Sequence, residues 1–298
     1  MDHAGDDQAH PATGEAQGRR SLRLPSMRAR RRARHDAGLT DHCDRKLVDD
    51  LRRATAKGEL TVVYQPTVDM ATLTPVGAEA LVRWPHPARG LLVPADFIGV
   101  AERSGLIGSI TTHVLGAACE EAMHWSSFIG GQSVVAVNLS PRDIIEPTII
   151  RSVTRALELS GLRPDRLCLE LTESAAIADH RGAADTLQAL SDLGTHIAVD
   201  DFGTGFASLA HLMRFPIDIV KIDRMFIADL GASQPAERIV SAVIELAHAL
   251  GLTAVAEGVE TTVQRDILVG LGCDMFQGHL YSPALAPWAV ASLLDNVA

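Results

Sequence analysis

Past residue 44 the chain alternates between two periodicities. Short apolar or β-branched runs recur: LTVVYQ (60–65), AEALVRW (78–84), SVVAVNLS (133–140), LCLELTE (167–173), HIAVDD (196–201), IDIVKID (217–223), TAVAEG (253–258) and CDMFQG (273–278). Runs of this length and composition predict strands. Between most of them the apolar positions fall every three or four residues. The clearest case is AERIVSAVIELAHALG, where Ile239, Val240, Val243, Ile244, Ala247 and Leu250 share one broad face and Gly251 follows. That spacing predicts an amphipathic helix ended at a glycine. DRKLVDDLRRATAKG predicts another, ending at Gly58. Eight strands mostly alternating with helices predict an α/β chain closed as a (β/α)8 barrel. A doubly wound sheet is the competing arrangement, but no G-x-G-x-x-G follows the first strand, which disfavours it.

The 298 residues suffice for one large barrel core or for two ordinary domains. Residues 1–40 stand apart: Gly, Ala, Pro and Asp first, then RRSLRLPSMRARRRAR. They are read as a disordered basic tail, and 41–298 as the folded domain. The tail suits a solvated extension or the remnant of an upstream module; a contact with nucleic acid or anionic lipid is the sharper alternative. Charge separates the two parts. Residues 1–35 carry eight arginines against four acids, a surplus of about four positive charges. The other 19 basic and 33 acidic residues leave about 14 negative charges on the remainder. So acidic a body argues against nonspecific nucleic-acid binding, and implies that metal ions are needed if the protein handles phosphate.

Cys43, Cys119, Cys168 and Cys273 are far apart and show no metal-type spacing. Cys168, inside LCLELT, reads as a buried free thiol, which suits a reducing cytoplasm. The polar start MDHAGDDQ is unlike a signal peptide. The longest stretches free of Lys, Arg, Asp and Glu, 122–141 and 275–294, are broken by Gly, His, Asn, Gln or Pro, so no membrane span is expected.

The chemistry lies in what interrupts the apolar runs. The second run carries Glu79 and Arg83, the third ends in Asn138, and the fourth gives Glu170 and Glu173. The fifth ends in Asp200-Asp201, the sixth holds Lys221 and Asp223, the seventh leads to Glu257 and Glu260, and the eighth to Gln277. Any one of these could cap a helix or pair with an arginine. Seven successive runs doing so is another matter, because a barrel gathers such positions at one mouth. Glu79, Asn138, Glu170 and Asp200 offer only oxygen donors, which suit hard octahedral cations such as Mg²⁺ or Mn²⁺. Adjacent carboxylates cannot both stay ionised in one pocket without counter-charge. Two divalent ions would resolve the conflict at Asp200-Asp201, and a two-ion site suits in-line displacement at phosphorus. Lys221, among Ile219, Val220 and Ile222, is either at an exposed edge or aimed into the mouth, where it could position water or neutralise phosphate. Glu257 is a candidate general base or metal ligand. Gly203-Thr204-Gly205 permits a sharp turn after the aspartates.

Taken together, these residues resemble the EAL-domain cyclic di-GMP phosphodiesterases. The resemblance runs through YQP (64–66), the triplet Glu79-Ala80-Leu81, NLS (138–140), LELTES (169–174), DDFGTG (200–205), KID (221–223), AEGVE (256–260) and QGHL (277–280). It covers roughly residues 44–298. It implies a modified (β/α)8 barrel of the TIM type whose first strand is antiparallel to its neighbours. It also implies hydrolysis of cyclic di-GMP to linear pGpG with Mg²⁺ or Mn²⁺, inhibited by Ca²⁺. Carried over by position, Glu79, Asn138, Glu170 and Asp200 would hold one ion. Asp200 would bridge to a second, which Asp201 also holds. Glu257 matches a proposed general base, also described as a second-ion ligand, and Lys221 a lysine that orients the attacking water. Arg83 matches an arginine on a substrate phosphate, Glu173 a glutamate steadying the loop after HIAVDD, and Glu260 a supporting acid. Gln65, Asp223 and Gln277 match pocket-lining residues that contact substrate. The chain departs from the common pattern at Phe206-Ala207, where Tyr-Ser is usual, and at LTES for ITES; neither touches a ligand. A homodimer is compatible with the resemblance. Two rival readings are a catalytically silent cyclic di-GMP receptor and an enolase-like barrel lyase with a lysine base and carboxylate-held Mg²⁺. Intact Glu79, Asp201, Lys221 and Glu257 disfavour the first, and the aspartate pair with Asn138 disfavours the second.

Overall fold

Each apolar run becomes a strand in the computed structural model, which describes residues 45–125, 133–172, 182–203 and 214–295. In chain order the strands are β1 (Thr61–Asp69), β2 (Pro75–His86), β3 (Gly90–Leu92), β4 (Val134–Leu139), β5 (Leu167–Thr172), β6 (His196–Phe202), β7 (Ile219–Ile222), β8 (Thr253–Glu257) and β9 (Met275–Gln277). Eight of them close into a barrel in the order β1-β2-β4-β5-β6-β7-β8-β9, with β9 returning to β1. The barrel is mixed. β1 is antiparallel to both β2 and β9, while the pairs from β2–β4 to β8–β9 are parallel.

The reversed first strand has a local cause. Only residues 70–74 separate β1 from β2, far too few for a parallel crossover. The Asp69 carboxylate accepts from the backbone N–H groups of Ala71 (3.1 Å) and Thr72 (2.7 Å), and Leu73 turns the chain at φ +57°. The ninth strand, β3, was not anticipated from the sequence. It forms a hairpin with the end of β2, pairing Trp84 with Leu92, outside the barrel wall.

The main core lies between the outer face of the barrel and the helices around it. Leu51 and Ala54 of the helix over 45–57, Val114 and Leu115 of the helix Ile107–Ala122, and Val240 and Ile244 of the helix Gln234–Ala249 are all buried. The last two belong to the face foreseen in AERIVSAVIELAHALG, and the first helix does end at Gly58, at φ +65°. Cys119, Cys168 and Cys273 are buried free thiols. No helix among the described residues is long and apolar enough to cross a membrane. Lys46–Ala298 group as one unit. The predicted tail (1–40), Cys43, Glu173 and Thr204–Ala207 lie outside the described residues.

Candidate active site

The parallel strands all end at one mouth, and the polar residues that broke the apolar runs meet there. Lys221, in the middle of β7 and only 3% exposed, is at their centre. Its Nζ lies 2.6 Å from Glu257 Oε1, 2.8 Å from Glu170 Oε2, 3.4 Å from Glu79 Oε2 and 3.7 Å from Asp200 Oδ1. The exposed-edge reading of this lysine is therefore wrong. Burial pulls its pKa down, but the surrounding carboxylates more than offset that and hold it well above the usual value.

The two aspartates reach the mouth through a break in β6. Successive residues of a regular strand point to opposite faces, which would send Asp201 away from Asp200. Instead the β6–β7 register shifts between Val199 and Phe202, and Asp201 takes φ +54°. Asp tolerates this left-handed backbone better than most residues do. The Asp201 N–H donates to the Asp200 carboxylate at 2.9 Å. As a result, carboxylate oxygens of Asp200, Asp201 and Glu257 all lie within 4.8 Å of one another.

Glu79 and Glu170 are equally buried but differ in company. Glu79 accepts from Asn138 Nδ2 at 2.5 Å and from Gln277 Nε2 at 2.9 Å, besides Lys221. Burial pushes its pKa up, but Lys221 and these two amides together bring it below the ordinary value. Glu170 has Lys221 without the amides, and burial together with Glu79 and Asp200 drives its pKa well above the ordinary value. Burial, then repulsion from Asp200 and Glu79, raises Glu257 to about 7 despite Lys221. Asp201 rises to about 6, through burial, its neighbour Asp200 and a hydrogen bond shared with Asp223.

These shifts have one origin. Five carboxylates (Glu79, Glu170, Asp200, Asp201 and Glu257) gather around one buried ammonium, so among the described residues full ionisation would leave an excess of negative charge in a largely buried mouth. Protons or cations must make up the difference. The donor set is all oxygen, as a hard divalent cation requires. Gln277 adds a buried Oε1 with no donor among the described residues, an acceptor open to a cation or a ligand N–H. The residues present thus fit divalent metal.

The peripheral candidates are placed as follows. Gln277 also donates to Gln65 Oε1 at 3.1 Å, and Gln65 reaches Ser282 O at 3.4 Å, so both amides border the cluster. Arg83 is half-buried near Glu79, with Nη1 donating to Val82 O at 2.9 Å. Asp223 spends one oxygen capping the short helix Arg224–Ala228, accepting from Met225 N at 2.7 Å, and also bonds to Asp201. This is a structural use that the pattern KID did not announce. Glu260 is exposed, and its backbone N–H donates to Gln264 Oε1 at 2.8 Å.

Sequence reasoning missed one feature of the site. Beside Asn138, Asp200 and Asp201 lies a cleft of ≈ 490 Å³, lined also by Ile98 and Glu102 of the helix Pro94–Ser104 and by Ile110, Thr111 and Val114 of the helix Ile107–Ala122. The periodicity of these two helices shows the apolar positions only as core-facing.

The EAL domain family matches residues 48–284 of the chain. MucR of Pseudomonas aeruginosa, a bifunctional diguanylate cyclase/cyclic di-GMP phosphodiesterase, is 40% identical over 253 residues, covering 85% of this chain and 36% of MucR. An uncharacterized protein of Sinorhizobium fredii, y4lL, is 43% identical over 246 residues, covering 83% of this chain and 29% of its own. The chain therefore spans about a third of the length of these relatives. Among solved structures, the PaMucR phosphodiesterase in complex with c-di-GMP superposes with a TM-score of 0.76 at 40% identity, covering 82% of this chain and 99% of that one. The EAL enzyme Bd1971, bound to cAMP and cyclic-di-GMP, gives a TM-score of 0.81 at 29% identity, covering 89% of this chain and 73% of that one.

Proposed function

The chain belongs to the EAL domain family, and from that premise we propose that it is a metal-dependent phosphodiesterase that hydrolyses cyclic di-GMP to linear pGpG in the cytoplasm. One observation carries the reading: four carboxylates around a single buried lysine, with a fifth, Asp201, beside them, so that cations are needed to balance the negative charge. Glu79, Asn138, Glu170 and Asp200 would hold one Mg²⁺ or Mn²⁺ ion, and Asp200 and Asp201 a second. When bound, the ions would supply electrostatic stabilisation of the attacking and leaving oxygens at phosphorus.

The side chains then divide the work. Lys221, kept protonated, donates to the attacking water and fixes its direction. Glu257, its carboxylate 2.6 Å from Lys221 Nζ, would take that water's proton as general base. Arg83 meets a phosphate oxygen of the substrate. Gln65 and Gln277 border the pocket, with the free Gln277 Oε1 offered to an N–H donor of the ligand. The cleft beside Asn138 has the size and the partly apolar lining to take a flat base.

The same features weigh against the rival readings. A silent receptor needs no base at the centre of its acidic cluster. A lysine base of the enolase kind must shed its proton, whereas four carboxylates hold the proton on Lys221. The test is incubation of the purified protein with cyclic di-GMP and Mg²⁺, with products resolved by chromatography. Appearance of pGpG is expected; tight binding with no product would make the protein a receptor.

A further inference from the structure

The polar layer of the mouth rests on a layer of small side chains. Residues two apart on a strand face the same way. Two positions deeper than Glu79, Asn138, Glu170 and Asp200 stand Gly77, Ala136, Cys168 and Ala198, on four successive barrel strands. By the barrel order, Val255 of β8 and Met275 of β9 lie across from Ala136 and Cys168. A (β/α)8 barrel normally fills this level with bulky branched side chains. Gly77 is small for a local reason, since a Cβ there would lie 2.2 Å from Val134 O. Ala136, Cys168 and Ala198 extend the narrowing of side chains over three further strands, and they pack as a small apolar cluster separate from the main core.

The result is a cavity of ≈ 540 Å³ inside the barrel. Its upper end is formed by Glu170 and Lys221. Its lower end, at the face opposite the catalytic mouth, is formed by His196 and Asp218. Those two side chains are 41% and 45% exposed, with Nδ1 3.7 Å from the carboxylate, so the lower end is reachable from solvent. The volume falls within the range of small-molecule sites, roughly 300–1,000 Å³. The walls between the ends are mostly apolar and offer water few partners, although a buried water typically needs two to four. They offer no counter-charge to an ionic ligand either, and Lys221 is already surrounded by four carboxylates.

We propose that this lumen is a second binding site, entered from the face opposite the mouth, for a small neutral molecule with an apolar body and one hydroxyl-type head group. The body lies against Ala136, Cys168 and Val255, and the head group meets His196 and Asp218 at the entrance. The proposal concerns binding alone and stands apart from the reaction assigned to the mouth.

The probe is n-hexanol, titrated calorimetrically into the 298-residue protein, with thermal melts in parallel. The expected result is saturable binding at one site per chain and a rise in Tm that saturates with it. Ala136→Leu and Val255→Phe, each filling the lumen, should weaken binding at least tenfold while circular dichroism shows a folded protein. No saturable binding by the wild type overturns the proposal. So does unchanged binding in a folded variant, because the site would then lie elsewhere. Should neither variant fold, wild-type crystals under xenon decide: an atom between Ala136 and Val255 supports the site, and a lumen holding only solvent overturns it.

Discussion

At Asp201 the backbone adopts φ +54° beside a register shift, and this is how two neighbouring carboxylates come to share one mouth. The sequence displayed the pair but not the break, because a bulge depends on how β6 meets β7. Glu79, Glu170, Lys221 and Glu257 were legible, each a charge inside or ending an apolar run. The hydrogen bonds of Asn138 and Gln277 to Glu79 were not, since they cross between strands 59 and 198 residues apart in sequence. Different outcomes are predicted for the two aspartates. Asp200→Asn should abolish turnover and weaken both ions, since an amide bridges two cations poorly. Asp201→Asn should mainly weaken one ion, so saturating Mn²⁺ restores part of the activity; metal titrations followed by turnover assays distinguish the two. Glu257→Gln should cost on the order of 10²–10⁴ in turnover, the range for loss of a general base, with substrate binding better preserved. The raised pKa values of Glu257 and Asp201 also fix a sign. Each carboxyl holds its proton more tightly in the folded state, so its contribution is fully present below the unfolded values and lost as pH rises through about 6 and about 7. Melts in EDTA should therefore show stability falling between about pH 4 and 7, with a shallower fall in Glu257→Gln and a partial recovery on adding Mg²⁺. An equal slope in wild type and variant would contradict the assignment.

The order of strands and helices was readable from periodicity because barrel strands and surface helices keep distinct spacings. What periodicity cannot give is direction. The reversal of β1 follows from the five-residue link after Asp69, a signal present in DMATLTP but silent until the two flanking runs are known to pair. β3 was invisible for a similar reason, as three residues leave no period to detect. The glycine of QGHL illustrates how an element boundary supports the site. A Cβ on Gly278 would sit 2.1 Å from Val259 O, where the segment after Glu257 crosses the end of β9. Val259 N donates to Gln277 O at 3.1 Å, and Val259 O accepts from Leu280 N at 2.9 Å, so that crossing ties Glu257 to Gln277. Gly278→Ala should destabilise the protein by roughly 1–3 kcal/mol, as overpacking does, and lower turnover as well. Urea denaturation and kinetics on the same variant test both parts; a variant of wild-type stability would show that the crossing yields freely.

Across the whole molecule, charge divides the sequence into a basic N-terminal segment and an acidic body. The carboxylates assigned to the ions, from Glu79 to Asp201, and the base Glu257 all lie downstream of the arginine-rich stretch. Deleting residues 1–38 should therefore leave turnover within about tenfold, a difference of roughly 1.4 kcal/mol; a larger loss would make that segment part of the working enzyme. The excess negative charge of the mouth makes a stronger demand, because under the proposed mechanism it would tie activity to divalent cations. Ca²⁺, larger and more loosely coordinated than Mg²⁺, should occupy the site and inhibit. The most direct measurement is cyclic di-GMP turnover by the wild type with Mg²⁺, repeated after EDTA and after Mg²⁺ is restored, with pGpG quantified by chromatography. The expected result is pGpG formation that EDTA abolishes and Mg²⁺ restores. Undiminished turnover in EDTA, or cyclic di-GMP left intact under all three conditions, would contradict it.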